Sequence, residues 1–370
     1  MKFSISKAAL QKVLRVVSGV IERRQQQSPA LSHVLLLVSE QMLKVVATDN
    51  EIELTATIGI NNVTEPGSAL VSCRKLNDIC RVLPDLAEIT IDSAGGKSLI
   101  RAGRSRFVLS SLPTEQFPKT SDFFEQQSFL VPRHAFMRLI EKTIFAMAED
   151  DVRQYLNGML LEIGETFLRA VAADGHRLAM QLMPFHGEGA QPAKIIIPRK
   201  GVLEILRVLG ESSAEMATIS FGSSNLHVAC DDLSLTTALL GGKYPDYEKV
   251  LPPRGEQVVY GQREALKDSI YRASALLNDK IKGVRLKFSS GCMQLFAYNT
   301  EKDEAEESLA VEFEGEDIEL GFNSRYLLEF LASVSTQMVK MTFTGPNGSV
   351  LLEEVGDDSG GVCVLMPMRI

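Results

Sequence analysis

The pattern of hydrophobic and polar positions repeats three times along the chain. Residues 36–49, 161–174 and 286–299 align at a constant spacing of 125 positions without a gap. Four columns carry the likeness: Leu36, Leu161 and Leu286; Val38, Ile163 and Phe288; Ala47, Ala172 and Ala297; and Asp49, Asp174 and Asn299. A unit that is repeated in this way usually builds a surface or an enclosure rather than one catalytic cleft.

Each copy opens with an amphipathic segment, and these segments predict helices over residues 5–21, 131–147 and 261–277. In the first segment Leu10, Leu14 and Val17 recur at helical spacing. An alternating stretch, a turn and a second alternating stretch follow in each copy, and this pattern indicates a β-hairpin.

A second helix is predicted to begin near Arg74, Arg199 and Ser324, again 125 positions apart. Further strand-like runs complete each copy; in the first copy they are 88–92, 98–102 and 106–112. The order helix, strands, helix, strands predicts an α+β fold. The Phe117-Pro118 and Tyr244-Pro245 pairs punctuate the joins. We expect three similar domains, at 1–125, 126–253 and 254–370.

Length and composition agree with this division, since 370 residues are many for one core and three domains fall near the usual size. No run of eighteen apolar residues could span a bilayer, and Lys7 and Lys12 interrupt any secretory signal. We therefore expect a cytoplasmic protein without a membrane partner.

The five cysteines form no C-x-x-C pair, so neither a disulfide framework nor a metal or cofactor site is expected.

Charge is unevenly distributed along the chain. The net charge is −8, but the six predicted helical windows hold sixteen basic and six acidic residues, so the remainder carries −18. Helix propensity alone does not explain this bias, because Glu forms helices as well as Lys does. A basic helix set within an acidic shell suits a polyanion held on one surface. The alternative is an ordinary preference for Lys and Arg on exposed helix faces.

A second charge asymmetry separates the two ends of the chain. Residues 301–307 contain five acids and one base, whereas Lys97, Arg101, Arg104 and Arg106 cluster in the first copy. Opposite charges at opposite ends favour head-to-tail contacts, which close into a ring where the rotation allows. Two unrelated solvated patches would give the same pattern.

Catalytic motifs are few. Gly95-Gly96-Lys97-Ser98 resembles the end of a phosphate-binding loop, but Ile91 stands where that loop needs its first glycine. Asp174 and His176 could form an acid–base pair. The equivalent positions in the other copies lack the histidine, so a turn with a local binding residue is the preferred interpretation. We expect no enzyme activity.

Several stretches resemble one family, the bacterial DNA polymerase III beta subunit or sliding clamp. They are YLNGMLLE (155–162), ADGHRLA (173–179), PRKG (198–201), YPDY (244–247), GFN (321–323) and the terminal MPMRI (366–370). The resemblance covers the whole chain in order. It implies domains of the DNA clamp fold, each with two helices and two antiparallel sheets, and a head-to-tail dimeric ring.

The resemblance also implies function. Such a ring encloses duplex DNA, slides without sequence specificity and acts as a processivity factor. It tethers the replicative polymerase subunit, the clamp loader, other polymerases and repair proteins through short peptide motifs. The positions that match family residues facing DNA are Arg24, Arg74, Arg199 and Lys200.

Two further sets of residues follow from the resemblance. The peptide groove would be formed by Leu156, Gly175, His176, Arg177, Leu178, Pro245, Val250, Asn323, Tyr326, Ser349, Val364, Met366, Pro367 and Met368. The dimer interface would use Lys75, Arg104, Arg106, Phe107, Leu109, Leu276, Leu277, Glu301 and Glu304. The terminal methionines could instead belong to a final core strand.

The chain departs from the family pattern at Glu149, Asp150 and Gln154, which places a DNA contact from that loop in question. It also departs at Ala173, Lys249 and Asn347, near the groove. Two rival functions remain at this point: a hydrolase that uses Asp174 and His176, and a repeat scaffold that binds acidic proteins.

Overall fold

The computed structural model describes residues 1–21, 28–60, 62–118, 124–187, 190–252, 255, 257–277, 283–345, 348–356 and 360–368. The first third of the chain contains β1 (Lys2–Ser6), α1 (Lys7–Val17), β2 (His33–Ser39), β3 (Met42–Thr48), β4 (Ile52–Gly59), β5 (Asn62–Glu65), β6 (Gly67–Ser72), α2 (Cys73–Val82), β7 (Glu88–Ala94), β8 (Lys97–Ala102) and β9 (Ser105–Leu112).

The second third contains β10 (Gln127–Pro132), α3 (Arg133–Glu141), β11 (Gly158–Ile163), β12 (Phe167–Ala173), β13 (Arg177–Pro184), β14 (Ala193–Pro198), α4 (Arg199–Glu211), β15 (Met216–Phe221), β16 (Asn225–Cys230) and β17 (Leu233–Ala238). The last third contains β18 (Gln257–Gln262), α5 (Arg263–Ala273), β19 (Gly283–Ser289), β20 (Cys292–Tyr298), β21 (Glu304–Ala310), β22 (Ile318–Asn323), α6 (Ser324–Ser333), β23 (Met338–Phe343), β24 (Val350–Glu354) and β25 (Val362–Leu365).

The predicted repeat is confirmed in its order of elements. The aligned segments form the hairpins β2–β3, β11–β12 and β19–β20, and the second helices begin at Cys73, Arg199 and Ser324.

The predicted bounds of the first helices were wrong. Each helix is preceded by a strand, and the hydrophobic periodicity did not show where the strand ends and the helix begins. The helices begin at Lys7, Arg133 and Arg263 and end at Val17, Glu141 and Ala273, inside the predicted windows. The buried strand residues Phe3 and Ile5 continue directly into the buried face of α1, so the change of period was hidden.

A basic residue at the start of each first helix caps the end of the second helix in the same third. Lys7 Nζ donates to Leu83 O at 2.6 Å, Arg133 Nη1 to Leu209 O at 2.7 Å, and Arg263 Nη1 to Val334 O at 2.5 Å. The last carbonyls of a helix carry partial negative charge, which favours cations there. These three residues belonged to the sixteen basic residues counted in the helices. Because these three side chains cap helices, fewer positive charges remain that could face a polyanion.

The chain divides into two compact units. The first comprises Met1–His134 and Leu203–Leu239 and contains an antiparallel sheet of thirteen strands. The strand order is β10-β15-β16-β17-β4-β3-β2-β6-β9-β8-β7-β1-β5. β17 pairs with β4, so strands from different thirds share one sheet. The core beneath it includes Leu10 and Leu14 of α1 and Leu76 of α2.

The second unit comprises Ala135–Val202 and Leu240–Ile370. Its larger sheet has eight strands in the order β14-β11-β12-β13-β25-β24-β23-β18, and its smaller sheet has four in the order β21-β20-β19-β22. The pairing of β13 with β25 places Leu178 opposite Val364. This pairing brings the residues that follow β25 beside the β12–β13 turn.

Cys73, Cys80, Cys230 and Cys363 are buried free thiols, and Cys292 is partly exposed. Burial is the largest cause that raises the pKa of the Cys73 thiol to about 12, and the effects of neighbouring groups are smaller. No helix among the described residues is long and apolar enough to cross a membrane.

Candidate functional site: an apolar groove in the second unit

An apolar groove of about 250 Å³ lies at one end of strands β12, β13 and β25 of the eight-stranded sheet. Its walls come from the turn before β11, the β12–β13 turn, the segment 244–250 and the residues around the end of β25. The residues that line it are Arg153, Tyr155, Leu156, Ala173, Gly175, Arg177, Leu178, Tyr244, Pro245, Tyr247, Val250, Val364 and Met366. Its volume is below the usual range of a drug-sized ligand site, about 300–1,000 Å³, and suits a few side chains.

The β12–β13 turn owes its shape to Asp174. One carboxylate oxygen, Oδ1, accepts from the backbone N–H groups of His176 at 2.8 Å and Arg177 at 2.9 Å. The equivalent Asp49 and Asn299 side chains also accept from backbone N–H groups two or more residues ahead. The predicted turn chemistry is therefore confirmed in all three copies.

Arg177 is a firmly held part of the groove wall. Its side chain is almost fully buried, donates from Nε to Asp174 Oδ2 at 3.0 Å, and also donates to Glu329 Oε2 and the carbonyl of Phe145. The guanidinium lies 4.2 Å from the ring centroid of Tyr326. Charge-assisted bonds and stacking on an aromatic ring make this guanidinium a rigid part of the wall.

Arg153 lines the groove beside Gly175. Its Nε and Nη2 donate to the two oxygens of Asp151 at 2.9 and 2.8 Å. These hydrogen bonds are the main cause that lowers the pKa of Asp151 to about 2. Gly175 has φ of +90°, and a Cβ added there would lie 2.8 Å from Arg153 Nη2. Glycine therefore gives both the left-handed backbone and the space that this guanidinium occupies.

The arrangement does not support a hydrolase. Both oxygens of Asp174 already accept hydrogen bonds from the turn and from Arg177, and within the described structure no hydrogen bond joins them to the His176 imidazole. Among the described residues, no cluster of three His, Cys, Asp or Glu side chains is placed to hold a metal ion.

Eight of the predicted groove residues line the observed groove: Leu156, Gly175, Arg177, Leu178, Pro245, Val250, Val364 and Met366. His176 adjoins it, since its carbonyl accepts from Met366 N at 2.9 Å. Tyr326 covers Arg177, and Asn323 caps α6 by accepting from Arg325 N at 3.0 Å.

The other three predicted residues, Ser349, Pro367 and Met368, also lie outside the groove lining. The carbonyl of Ser349 accepts from Thr344 Oγ1 at 3.3 Å, and Met368 N donates to Gly321 O at 2.9 Å, with Pro367 between the two terminal methionines. The strand β25 ends at Leu365, so Met366 is not part of it and is 45% exposed.

Five lining residues were missed: Arg153, Tyr155, Ala173, Tyr244 and Tyr247. Four of them stand inside the quoted family stretches, so adjacency in sequence was a signal that could have found them.

The predicted DNA contacts that the structure describes lie at the starts of helices. Arg24 lies outside the described residues. Arg74 is exposed in the first turn of α2, with 91% of its side chain exposed, and the adjacent Lys75, which was predicted for the dimer interface, is also exposed. Arg199 opens α4, next to the exposed Lys200, but its Nη2 donates to Glu149 Oε1 at 2.7 Å.

The predicted interface residues are divided between the two units. In the first unit, Arg104 and Arg106 are exposed, and Phe107 and Leu109 are partly exposed on β9. In the second unit, Leu276 and Leu277 follow α5, and Leu277 packs against the core. The exposed Glu301 and Glu304 lie at the start of β21 or just before it.

Repeated domains of two helices and antiparallel sheets, together with a groove that suits a few side chains, define the class of DNA clamp proteins. Comparison with known proteins agrees over the full length. Family models of the DNA polymerase III beta subunit match residues 1–121 (N-terminal domain), 130–246 (central domain) and 248–369 (C-terminal domain). The chain belongs to the DNA polymerase III beta subunit family.

Individual relatives are similar over their whole length. The beta sliding clamp of Pseudomonas putida is 43% identical over 370 residues, and that of Escherichia coli K12 is 40% identical, each covering 100% of both chains. The crystal structure of the DNA polymerase sliding clamp from Pseudomonas aeruginosa with ligand superposes with a TM-score of 0.95 at 41% identity, covering 100% of both chains. A Pseudomonas aeruginosa sliding clamp bound to griselimycin gives a TM-score of 0.94 at 41% identity with the same coverage.

Proposed function

We propose that this chain is a processivity clamp of bacterial DNA replication. Two copies join head to tail into a ring around duplex DNA, and the ring slides without sequence specificity while it tethers the replicative polymerase. The observation that carries the proposal is the match of three family domains over the whole chain. We place the domain boundaries at 125/126 and 253/254, and a cytoplasmic location fits this role.

The dimer is supported by two unpaired strand edges. Within the described residues, the 105–110 part of β9 pairs only with β8, and β21 pairs only with β20. An open edge is a template for pairing with another chain. Arg104 and Arg106 lie at the first edge and Glu304 at the second, so the charges are complementary. Phe107 and Leu109 would meet Leu276 and Leu277 in the apolar centre.

DNA binding is supported by basic residues at helix starts, the exposed Arg74 and Lys200 and the partly exposed Arg199, to which Arg24 is added from the sequence. Contacts to phosphate from such residues carry no sequence information. They are weakened by salt, since binding releases condensed counterions. Loose contacts of this kind permit sliding.

Partner binding is supported by the groove. Leu156, Leu178, Val364 and Met366 give an apolar lining, the buried Arg177 is a rigid part of the wall, and the exposed Arg153 offers a charged group. Methionine adapts to different side chains, which suits several partners at one site. We assign to it short peptide motifs of the replicative polymerase subunit, the clamp loader, other polymerases and repair proteins. The protein binds and does not catalyse.

The first experiment is the solution mass by light scattering, which should be about twice the chain mass of 40.7 kDa. Loaded protein should remain on circular duplex DNA and leave a linear duplex with free ends. Equal retention on both would contradict a sliding ring. Preferential binding to an acidic polypeptide over duplex DNA would instead favour the scaffold.

The groove is tested separately by Met366→Ala, which should weaken binding of a leucine- and phenylalanine-containing peptide while the dimer mass is unchanged. The control is Met216→Ala on β15, where the methionine is similarly exposed at 42% compared with 45%. Equal affinity of both variants would exclude Met366 from the peptide site.

A further inference from the structure

One wall of the groove contains little regular secondary structure. Tyr244, Pro245, Tyr247 and Val250 line the groove, and all belong to a segment that contains only a short 3-10 turn, Tyr247–Val250. That turn is closed by a long bond from Leu251 N to Glu248 O at 3.3 Å. A loop with so few backbone hydrogen bonds needs side-chain contacts to keep one position.

The sheet behind this wall carries three charged residues in register. Glu162 on β11 stands directly opposite Lys194 on β14 and Arg169 on β12. Lys194 Nζ lies 2.8 Å from Glu162 Oε1, and Arg169 Nη1 donates to Glu162 Oε2 at 3.1 Å. Cross-strand neighbours of opposite charge support each other's position.

Tyr247 joins the wall to this charged row. Its hydroxyl donates to Glu162 Oε2 at 2.7 Å and accepts from Arg169 Nη1 at 2.7 Å. Arg169 also lies 3.8 Å from the carboxylate of Glu248, the next residue of the wall. The side chains of Glu162 and Arg169 are only 14% and 20% exposed, so water screens these contacts weakly.

The phenol is suited to this role over a wide pH range. Burial is the largest cause that raises the pKa of Tyr247 to about 12, and the hydrogen bond to Glu162 adds to it. The hydroxyl therefore keeps its proton and remains a donor to the carboxylate at neutral pH.

We infer that Glu162 and Arg169 are positioning residues of the peptide groove: through the Tyr247 hydroxyl they clip the 244–250 wall to the sheet and set the width of the groove. The inference rests on the proposed function of the groove. Tyr247 lines the cavity and packs with Leu156, Leu178 and Val364, while its hydroxyl is bound to the sheet, so the clip acts on a peptide through the wall. In a cavity of about 250 Å³, a small displacement of one wall changes which side chains fit.

The test is Tyr247→Phe in the full-length chain, which keeps the ring and removes the hydroxyl. The probe is a fluorescein-labelled, acetylated hexapeptide with two leucines and one phenylalanine, measured by anisotropy. Because a hydrogen bond to a charged group is lost, we expect the peptide to bind roughly tenfold more weakly. Tyr260→Phe on β18, outside the groove, removes the same atom and should leave the affinity unchanged.

Two further measurements separate positioning from general loss of structure. In Tyr247→Phe, amide hydrogen exchange should accelerate in residues 247–251 while that of β12 is unchanged. Glu162→Gln retains an acceptor but loses the charge, so it should weaken the probe less than Tyr247→Phe. The double variant should bind the probe no more weakly than Tyr247→Phe alone, because both changes act on the same contact between Tyr247 and Glu162.

The outcomes are distinct. If the unmodified chain and Tyr260→Phe bind the probe and Tyr247→Phe binds equally well, the clip is refuted while the groove function stands. If the unmodified chain binds no probe, both the groove function and the clip fail. Weaker binding with uniformly faster exchange over β11, β12 and the wall would also overturn the clip, because it would indicate general unfolding.

Discussion

Glu149 forms an ion pair with Arg199, one of the residues predicted to contact phosphate. Arg199 Nη2 donates to Glu149 Oε1 at 2.7 Å, and Nη1 donates to the carbonyl of Met147 at 3.3 Å. The charge of Glu149 also acts on Arg325, whose pKa is raised first by its Glu329 partner and to a smaller extent by Glu149. A phosphate that binds Arg199 must displace this carboxylate, so we expect Glu149→Gln to strengthen DNA binding.

The magnitude follows from the exposure of the pair. The side chains of Arg199 and Glu149 are 30% and 65% exposed. Such pairs contribute about 0.2–1 kcal/mol in water, so removing the competitor should tighten DNA binding by about 1.5- to fivefold. If one more phosphate is neutralised as a result, the slope of log K against log salt should steepen by about 0.9.

The assay is fluorescence anisotropy of a short labelled duplex, titrated with protein at several salt concentrations between about 50 and 200 mM. The control is Glu165→Gln, which removes the same charge from an exposed position in the turn between β11 and β12. Equal gains in both variants would refute the reasoning, since the effect would then come from net charge. Unchanged affinity in Arg199→Ala would show that Arg199 does not contact DNA.

Three other predictions concern stability and the groove. Lys142→Met leaves the buried carboxylate of Glu354 without its cation and should lower the free energy of unfolding by about 3 kcal/mol in urea titrations; an unchanged midpoint would contradict this. Gly175→Ala, at φ of +90° and against a guanidinium, should weaken peptide binding, whereas Gly241→Ala, with open space around it, should not. Burial lowers the pKa of His227 from 6.5, so its neutral form is favoured in the folded state; stability present above pH 6.5 is lost as pH falls below it, and His227→Gln should flatten this decrease in melting temperature.

The charge argument from sequence was incomplete in detail. It counted every basic residue in the helical windows as available to a polyanion. In the structure Lys7, Arg133 and Arg263 cap the neighbouring helices, and Arg15 donates to Glu211 at 2.6 Å. Sequence does not distinguish such residues from exposed ones, because the carbonyl or carboxylate that binds them lies tens of residues away.

The groove, too, was predicted only in part from the sequence. Leu156, Gly175 and Met366 were predicted from family stretches and do line it. Tyr247 was not predicted, although it lies in one of those stretches, and its link to Glu162 spans 85 positions. Residues that position a wall leave no local signal when their partners are distant in sequence.

The sequence by itself determined the repeat, the order of helices and strands and the turn chemistry of Asp49, Asp174 and Asn299, because periodicity and turn propensity act over a few neighbouring residues. Only the tertiary structure decided where the strand before each first helix ends, which basic residues serve as caps and which side chains meet in the groove. Those features depend on pairings such as β1 with β7 and β13 with β25, which join distant segments of the chain. The energy of such contacts comes from burial and hydrogen bonds that exist only after the segments have met.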